Sequence, residues 1–134
     1  MRLIILGMGG YGKVIADVAD QTGLYEEIVF LDDQAEQAMD ICDLYWKYVD
    51  RDVQMYPAFG NNKLRTEWIE RLKKEGISVP LIVHPLAYVS PKARVSEGCV
   101  VLPYAIINTE CHLEEACIVN CGAIIDHGCF LEKG

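Results

Sequence analysis

The hydrophobic rhythm of the chain changes near Pro85. Before that proline, short apolar runs alternate with stretches at helical spacing. Leu3–Leu6 reads as a buried strand, and Lys13–Thr22 carries Val14, Ile15, Val18 and Ala19 on one helical face. Ile28–Leu31 reads as a second strand, ended by Asp32 and Asp33, and Val53–Phe59 as a weaker third. Asn61 or Asn62 caps a helix running to Glu75, with Leu64, Trp68, Ile69 and Leu72 on one face and Gly76 as its stop. Val79–Val83 reads as a fourth strand. Residues 34–52 show no clean stripe, although Ile41–Val49 is compatible with a helix. This order predicts a small parallel α/β sheet over residues 1–84.

From Pro85 a period of six replaces helical spacing. Val89, Val95, Val101, Ile107, Leu113, Val119, Ile125 and Leu131 are all aliphatic. Two positions earlier, Ala87, Ala93, Cys99, Ala105, Cys111, Cys117, Ala123 and Cys129 are all small. Ile, Leu and Val make up 37 of the 134 residues, so the aliphatic register alone has a chance probability on the order of 10⁻⁴. A six-residue unit that turns a corner each time builds one face of a triangular coil, and three units stack like positions 18 residues apart. The aliphatic residue points into the prism, and the small residue sits near the corner. Gly98, Gly122, Gly128 and Gly134 share one phase, where turns with positive φ are expected. No rung folds alone, so residues 85–134 form a solenoid whose last coil needs covering. The pattern stops at Gly134 without a cap, so the coil is read as truncated or as closed by a partner.

Composition refines this picture. The net charge of −8 argues against nucleic acid or an anionic membrane as the main partner. No apolar run approaches the roughly 18 residues of a membrane span, and Leu3–Leu6 is too short for a signal-peptide core. Six cysteines without a Cys-x-x-Cys indicate a reducing, cytoplasmic chain. Four of them, Cys99, Cys111, Cys117 and Cys129, occupy the small register as buried hydrophobes. Cys121 reads as a corner residue, and Cys42 is uninformative.

Gly7-Met8-Gly9-Gly10-Tyr11-Gly12 is a Gly-x-Gly-x-x-Gly between a strand and a helix. Its glycines allow backbone to approach a phosphate, and the helix N-terminus offers free N–H groups. Asp32, at the end of the second strand, stands where a carboxylate reaches ribose hydroxyls. A tight βα turn without a ligand uses the same glycines. The α/β part lacks a second mononucleotide half, which favours a single nucleotide over NAD. Of the three histidines, His84 reads as structural and His112 as a surface or interface residue. His127 follows Asp126 at a corner pointing outward, where it is either a surface residue or a base. His112, Asp126 and His127 do not form a recognisable metal set.

The six-residue repeats resemble those of left-handed β-helix acyltransferases. The ordered set Gly7–Val18, Phe30–Asp33, Phe59–Arg65, His84–Ala87, Val89–Pro91 and Asn120–His127 is similar to the NeuD/PglD-type sugar acetyltransferases, also called the sialic acid O-acetyltransferase family. The resemblance implies a Rossmann-like domain that binds a sugar nucleotide, followed by a left-handed parallel β-helix that forms a homotrimer. It implies acetyl-CoA as co-substrate, lying between subunits; the residues themselves lead to the expectation of no metal. His127, with Asp126 beside it, would act as general base in N- or O-acetylation of a nucleotide-linked amino sugar or sialic acid. Asn120 would touch the acceptor. Gly9, Gly10 and Tyr11 would face phosphates or sugar, within a binding set that includes Gly7, Gly12 and Gly60. Asp32 or Asp33 would face the nucleoside. Two features depart from the family: Gly128 stands where an acidic residue commonly follows the histidine, and only seven residues follow His127. The other reading is a nucleotide-sugar-binding and trimerisation module without turnover. The acidic charge suggests that basic residues of a complete site lie beyond Gly134.

Overall fold

A computed structural model describes residues 1–31 and 52–134. Strands β1 (Arg2–Leu6), β2 (Glu27–Leu31) and β3 (Val53–Pro57) form a parallel sheet in the order β2-β1-β3, with Leu3 paired to Ile28 on one side and Gln54 on the other. Helix α1 spans Gly10–Thr22 and helix α2 spans Asn62–Lys74. The expected elements over these residues are therefore present, with α1 starting three residues before Lys13. Asn61 caps α2, its Oδ1 accepting from the Leu64 N–H at 2.9 Å.

In each helix one residue of the expected face is exposed and a neighbouring position is buried instead. In α1, Gly12, Ile15, Val18 and Ala19 are buried while Val14 is exposed. In α2 the buried residues are Arg65, Ile69 and Leu72, and Leu64 is exposed. Arg65, Ile69 and Leu72 have the spacing i, i+4, i+7, so the stripe is regular once the arginine is counted in it.

The predicted fourth strand shrinks and changes sheet. Ser78 still bridges to Gln54, but Pro80 has no N–H with which to continue pairing. Strand β4 is Ile82–Val83, and it pairs with Val100–Val101 of the coil rather than with the sheet of β1.

The coil is a triangular prism of two-residue strands: β5 (Tyr88–Val89), β6 (Arg94–Val95), β7 (Val100–Val101), β8 (Ile106–Ile107), β9 (His112–Leu113), β10 (Ile118–Val119), β11 (Ile124–Ile125) and β12 (Phe130–Leu131). Its first face is β4-β7-β10, its second β5-β8-β11 and its third β6-β9-β12, all parallel and all in an 18-residue register. The predicted aliphatic and small registers fill the interior, joined by Val83 as one more aliphatic rung. Cysteine does more here than fill space: Cys99, Cys111 and Cys117 donate S–H bonds to the carbonyls of Glu114, Asp126 and Glu132 at 2.9, 2.9 and 3.2 Å. The predicted glycine corners have φ near +70°, and Tyr104, Glu110 and Ala116 adopt the same left-handed conformation in the same phase.

The three faces differ in what covers them. Ile82, Val100 and Ile118 of the first face join one hydrophobic core with Leu3–Leu6, Ile69 and Leu72. Tyr88, Ile106 and Ile124 of the second face are exposed. Arg94, His112 and Phe130 project from the third, where the His112 and Phe130 rings lie 5.1 Å apart.

Three contacts fasten the α/β part to the first face. Ile69 fills the space beside Gly98, where an added Cβ would come within 2.9 Å of its Cδ1. Lys73 of α2 pairs with Glu97 at 2.6 Å and with Glu115, and Lys133 pairs with Glu70 and Glu115. At the far end of α1, the Leu86 N–H donates to His84 Nδ1 (3.0 Å). The proton on Nε2 then donates to Gln21 Oε1 (2.8 Å). His84 is thus a buried structural residue, as expected.

Candidate functional site

In the order β2-β1-β3 the chain runs from the central strand to one edge and later returns to the other. The crevice outside the carboxyl ends of β1 and β3 lies at that reversal, where open α/β sheets bind ligands. Two turns meet there: Gly7–Gly12 after β1 and Ala58–Asn61 after β3.

Each glycine of the first turn has a separate reason to be glycine. Gly7 has φ +101°, and its N–H donates to the Leu31 carbonyl at 2.7 Å. A Cβ on it would stand 3.3 Å from the Ala58 carbonyl oxygen and from the Phe59 ring. A Cβ on Gly12 would stand 2.3 Å from the Gly7 carbonyl oxygen, so this position admits no side chain. Gly9 and Gly10 meet nothing within 4 Å and are exposed, leaving open backbone. Gly9 is the N-cap of α1 with no side-chain cap, and the first turn carries no acidic residue. The N-terminus of α1 thus presents its N–H groups and positive dipole end beside an open approach, as an anion requires.

Tyr11 follows the two open glycines and is half-buried. Its hydroxyl lies 2.9 Å from that of Tyr56, and the two rings meet edge to face at 6.4 Å. Burial pushes both phenols above their ordinary range. Tyr11 also adds its backbone N–H to the helix terminus. Gly60 is exposed in the facing turn. Asp32 and Asp33 lie outside the described residues.

Arg65 was not among the candidates from sequence. It is fully buried at 0% exposure. Its Nε and Nη2 donate to the Ala116 carbonyl at 3.0 and 2.8 Å, its Nη1 to the Phe59 carbonyl at 3.0 Å, and its Nη2 also to Asn62 Oδ1 at 2.8 Å. Its place on the α2 stripe, four residues before Ile69, is the sequence signal that would have found it.

The second group of candidates sits on the coil. Asp126 and His127 are exposed at the corner between the second and third faces. Asp126 Oδ1 accepts the His127 backbone N–H at 2.8 Å, so this carboxylate caps its own turn. Asn120 does the same for Cys121 (2.9 Å) and Asn108 for Thr109 (2.8 Å). The corner geometry alone therefore explains why Asx residues stand there. Asn120 lies on the corner between the first and second faces, with β11 between it and His127. The first face carries the α/β part, and His127 stands on the vertex opposite that face. One chain does not bring the glycine turn, Asn120 and His127 together. Among the described residues no group of three or more His, Cys, Asp or Glu is placed to hold a metal ion, and no helix is long and apolar enough to cross a membrane.

Residues 2–72 match the PglD N-terminal domain family. The whole chain is similar to the acetyltransferase domain of PglB from Neisseria gonorrhoeae, solved in complex with acetyl coenzyme A: 34% identity, 98% of this chain and 67% of that one, TM-score 0.89. It is also similar to a variant of perosamine N-acetyltransferase from Caulobacter crescentus, solved with CoA and GDP-perosamine: 27% identity, 98% and 66% coverage, TM-score 0.87. The chain spans about two thirds of the length of these structures.

Proposed function

Since the chain belongs to the NeuD/PglD-type sugar acetyltransferases, with a Rossmann-like domain followed by a left-handed parallel β-helix, we propose that it binds a nucleotide-linked amino sugar in the crevice between Gly7–Gly12 and Gly60 and serves its N-acetylation by acetyl-CoA. The observation that carries this reading is the open helix N-terminus at Gly9 and Gly10, placed at the topological switch point. Solved relatives hold CoA together with GDP-perosamine, or acetyl-CoA.

His127 acts as the general base. It takes the proton of the sugar amine as that nitrogen bonds the thioester carbonyl carbon, and it returns a proton to the departing CoA sulfur. An imidazole suits both transfers because a ring nitrogen can accept a proton and then give it up. Holding the amine and thioester together supplies much of the rate, and the base adds about 10²–10⁴-fold.

The position of His127 opposite the covered face supports a homotrimer in which its imidazole serves a sugar held by a neighbouring copy. The exposed second face, with Tyr88, Ile106 and Ile124 in one ladder and Leu86 and Tyr104 at its corner, is the apolar surface for that contact. The free cysteines fit a cytoplasmic setting.

Calorimetry with UDP- and GDP-linked amino sugars, followed by an assay of CoA thiol release, tests this reading. His127→Ala should abolish release while sugar-nucleotide binding persists. Undiminished release would remove His127 from the role of base. Binding with no release by the unaltered protein would favour a non-catalytic module.

A further inference from the structure

We propose that Arg65 is a positioning residue for the sugar nucleotide, holding the Phe59–Asn61 wall of the crevice at a set distance from the glycine turn. This rests on the reading that the sugar nucleotide occupies that crevice.

Arg65 lies in the buried stripe of α2 but does not merely staple the helix to the coil. That fastening is already made by Ile69 against Gly98 and by Lys73 with Glu97 and Glu115. The Arg65 guanidinium instead spans two separate pieces of backbone. One edge holds the Ala116 carbonyl at a coil corner, and Nη1 holds the Phe59 carbonyl in the turn after β3. Nη2 also restrains Asn62, next to the cap of α2.

Phe59 is therefore gripped at both ends. Its ring faces Gly7 and the Trp68 ring, 5.7 Å away, and its carbonyl is drawn inward to Arg65. Gly60 follows directly and is exposed, in the turn whose Ala58 and Phe59 lie against Gly7. A planar fork with fixed donors can hold both carbonyls at once, which an ammonium on a flexible stem cannot. The hold transmits the position of the rigid coil to the rim of the crevice. Its three acceptors are two backbone carbonyls and one amide oxygen, so the positive charge also adds to the field of the α1 N-terminus facing a diphosphate.

The test is titration calorimetry of the full chain with UDP- and GDP-linked amino sugars, well below the melting temperature of every variant. Arg65→Lys keeps the charge and loses the fork, and it should raise the Kd for the bound sugar nucleotide about tenfold, the loss of roughly one hydrogen bond's worth of positioning. Asn62→Ala, at an exposed position, loosens the same guanidinium and should raise it about threefold. Lys73→Ala breaks the neighbouring ion pairs and should lower the melting temperature while leaving Kd unchanged. An unchanged Kd in both Arg65→Lys and Asn62→Ala would overturn the positioning role, as would an equal rise in Lys73→Ala. If Arg65→Lys does not fold, Asn62→Ala against Lys73→Ala decides. Failure of the unaltered chain to bind either nucleotide sugar would overturn the crevice reading, and this inference with it.

Discussion

The Arg65 guanidinium and the Ala116 carbonyl, 51 residues apart in sequence, meet through two hydrogen bonds of 3.0 and 2.8 Å. Ala116 is a non-glycine residue in the left-handed region, φ +66°, with its side chain fully buried. The bond pair joins α2, the helix that follows the crevice turn, to a corner of the coil.

Arg65→Met should lower stability by about 2–4 kcal/mol, because it leaves the buried Ala116 carbonyl and the half-buried Phe59 carbonyl without their donors. Urea denaturation followed by circular dichroism measures this. A change below about 0.5 kcal/mol, the range of ordinary surface substitutions, would show that water takes over the role of the guanidinium.

The corner phase makes two predictions of opposite sign. Gly98→Ala combines φ +72° with a Cβ 2.9 Å from Ile69 Cδ1, and should cost about 1–3 kcal/mol. Glu110→Gly relieves an exposed residue at φ +59°, and should gain about 0.5–1 kcal/mol after the entropy of the added glycine is counted. Thermal melts of the two variants should move in opposite directions.

Acid should loosen the docking of α2 on the coil. The hydrogen bond from Lys73 holds the Glu115 carboxyl below its ordinary value of 4.5, with Lys133 adding to the effect. The unfolded chain therefore binds this proton at a higher pH than the folded chain. The stabilisation is present above about pH 4.5 and is lost as pH falls through the lowered folded value. Glu115→Gln should flatten the stability profile across that window, measured by denaturation between pH 3 and 7. A parallel profile would remove Glu115 from the acid response.

The exposed second face sets a test of assembly. Ile124 is 69% exposed at the end of the Tyr88–Ile106–Ile124 ladder. For the proposed homotrimer, Ile124→Arg should convert trimers to monomers in sedimentation velocity and suppress acetyl transfer, while sugar-nucleotide binding in the crevice is retained. Trimers that survive the substitution would place the interface on another face.

Much of this molecule was legible from local pattern. The Asn61-Asn62 pair announced the start of α2, and the aliphatic and small registers announced the interior of the coil and the place of its cysteines. A solenoid is readable in this way because each rung repeats the same short-range geometry. The beginning of the coil was less visible: Val79–Val83 has the composition of a sheet strand, and only the missing N–H of Pro80 and the pairing of Ile82 with Val100 assign it to the prism. The choice between the first and second faces as the covered one was not visible. Ile82, Val100 and Ile118 look outward as apolar residues much as Tyr88, Ile106 and Ile124 do, and a pattern that repeats every six residues treats the faces alike. The helices break that symmetry by delivering Ile69, Leu72 and Arg65 to the first face. The same docking buries a guanidinium and leaves His127 on the far vertex. Local pattern specifies the repeating unit and the chemical groups it carries. Tertiary structure decided which surfaces those groups share, because burial and the pairing of distant carbonyls depend on contacts that no local period encodes.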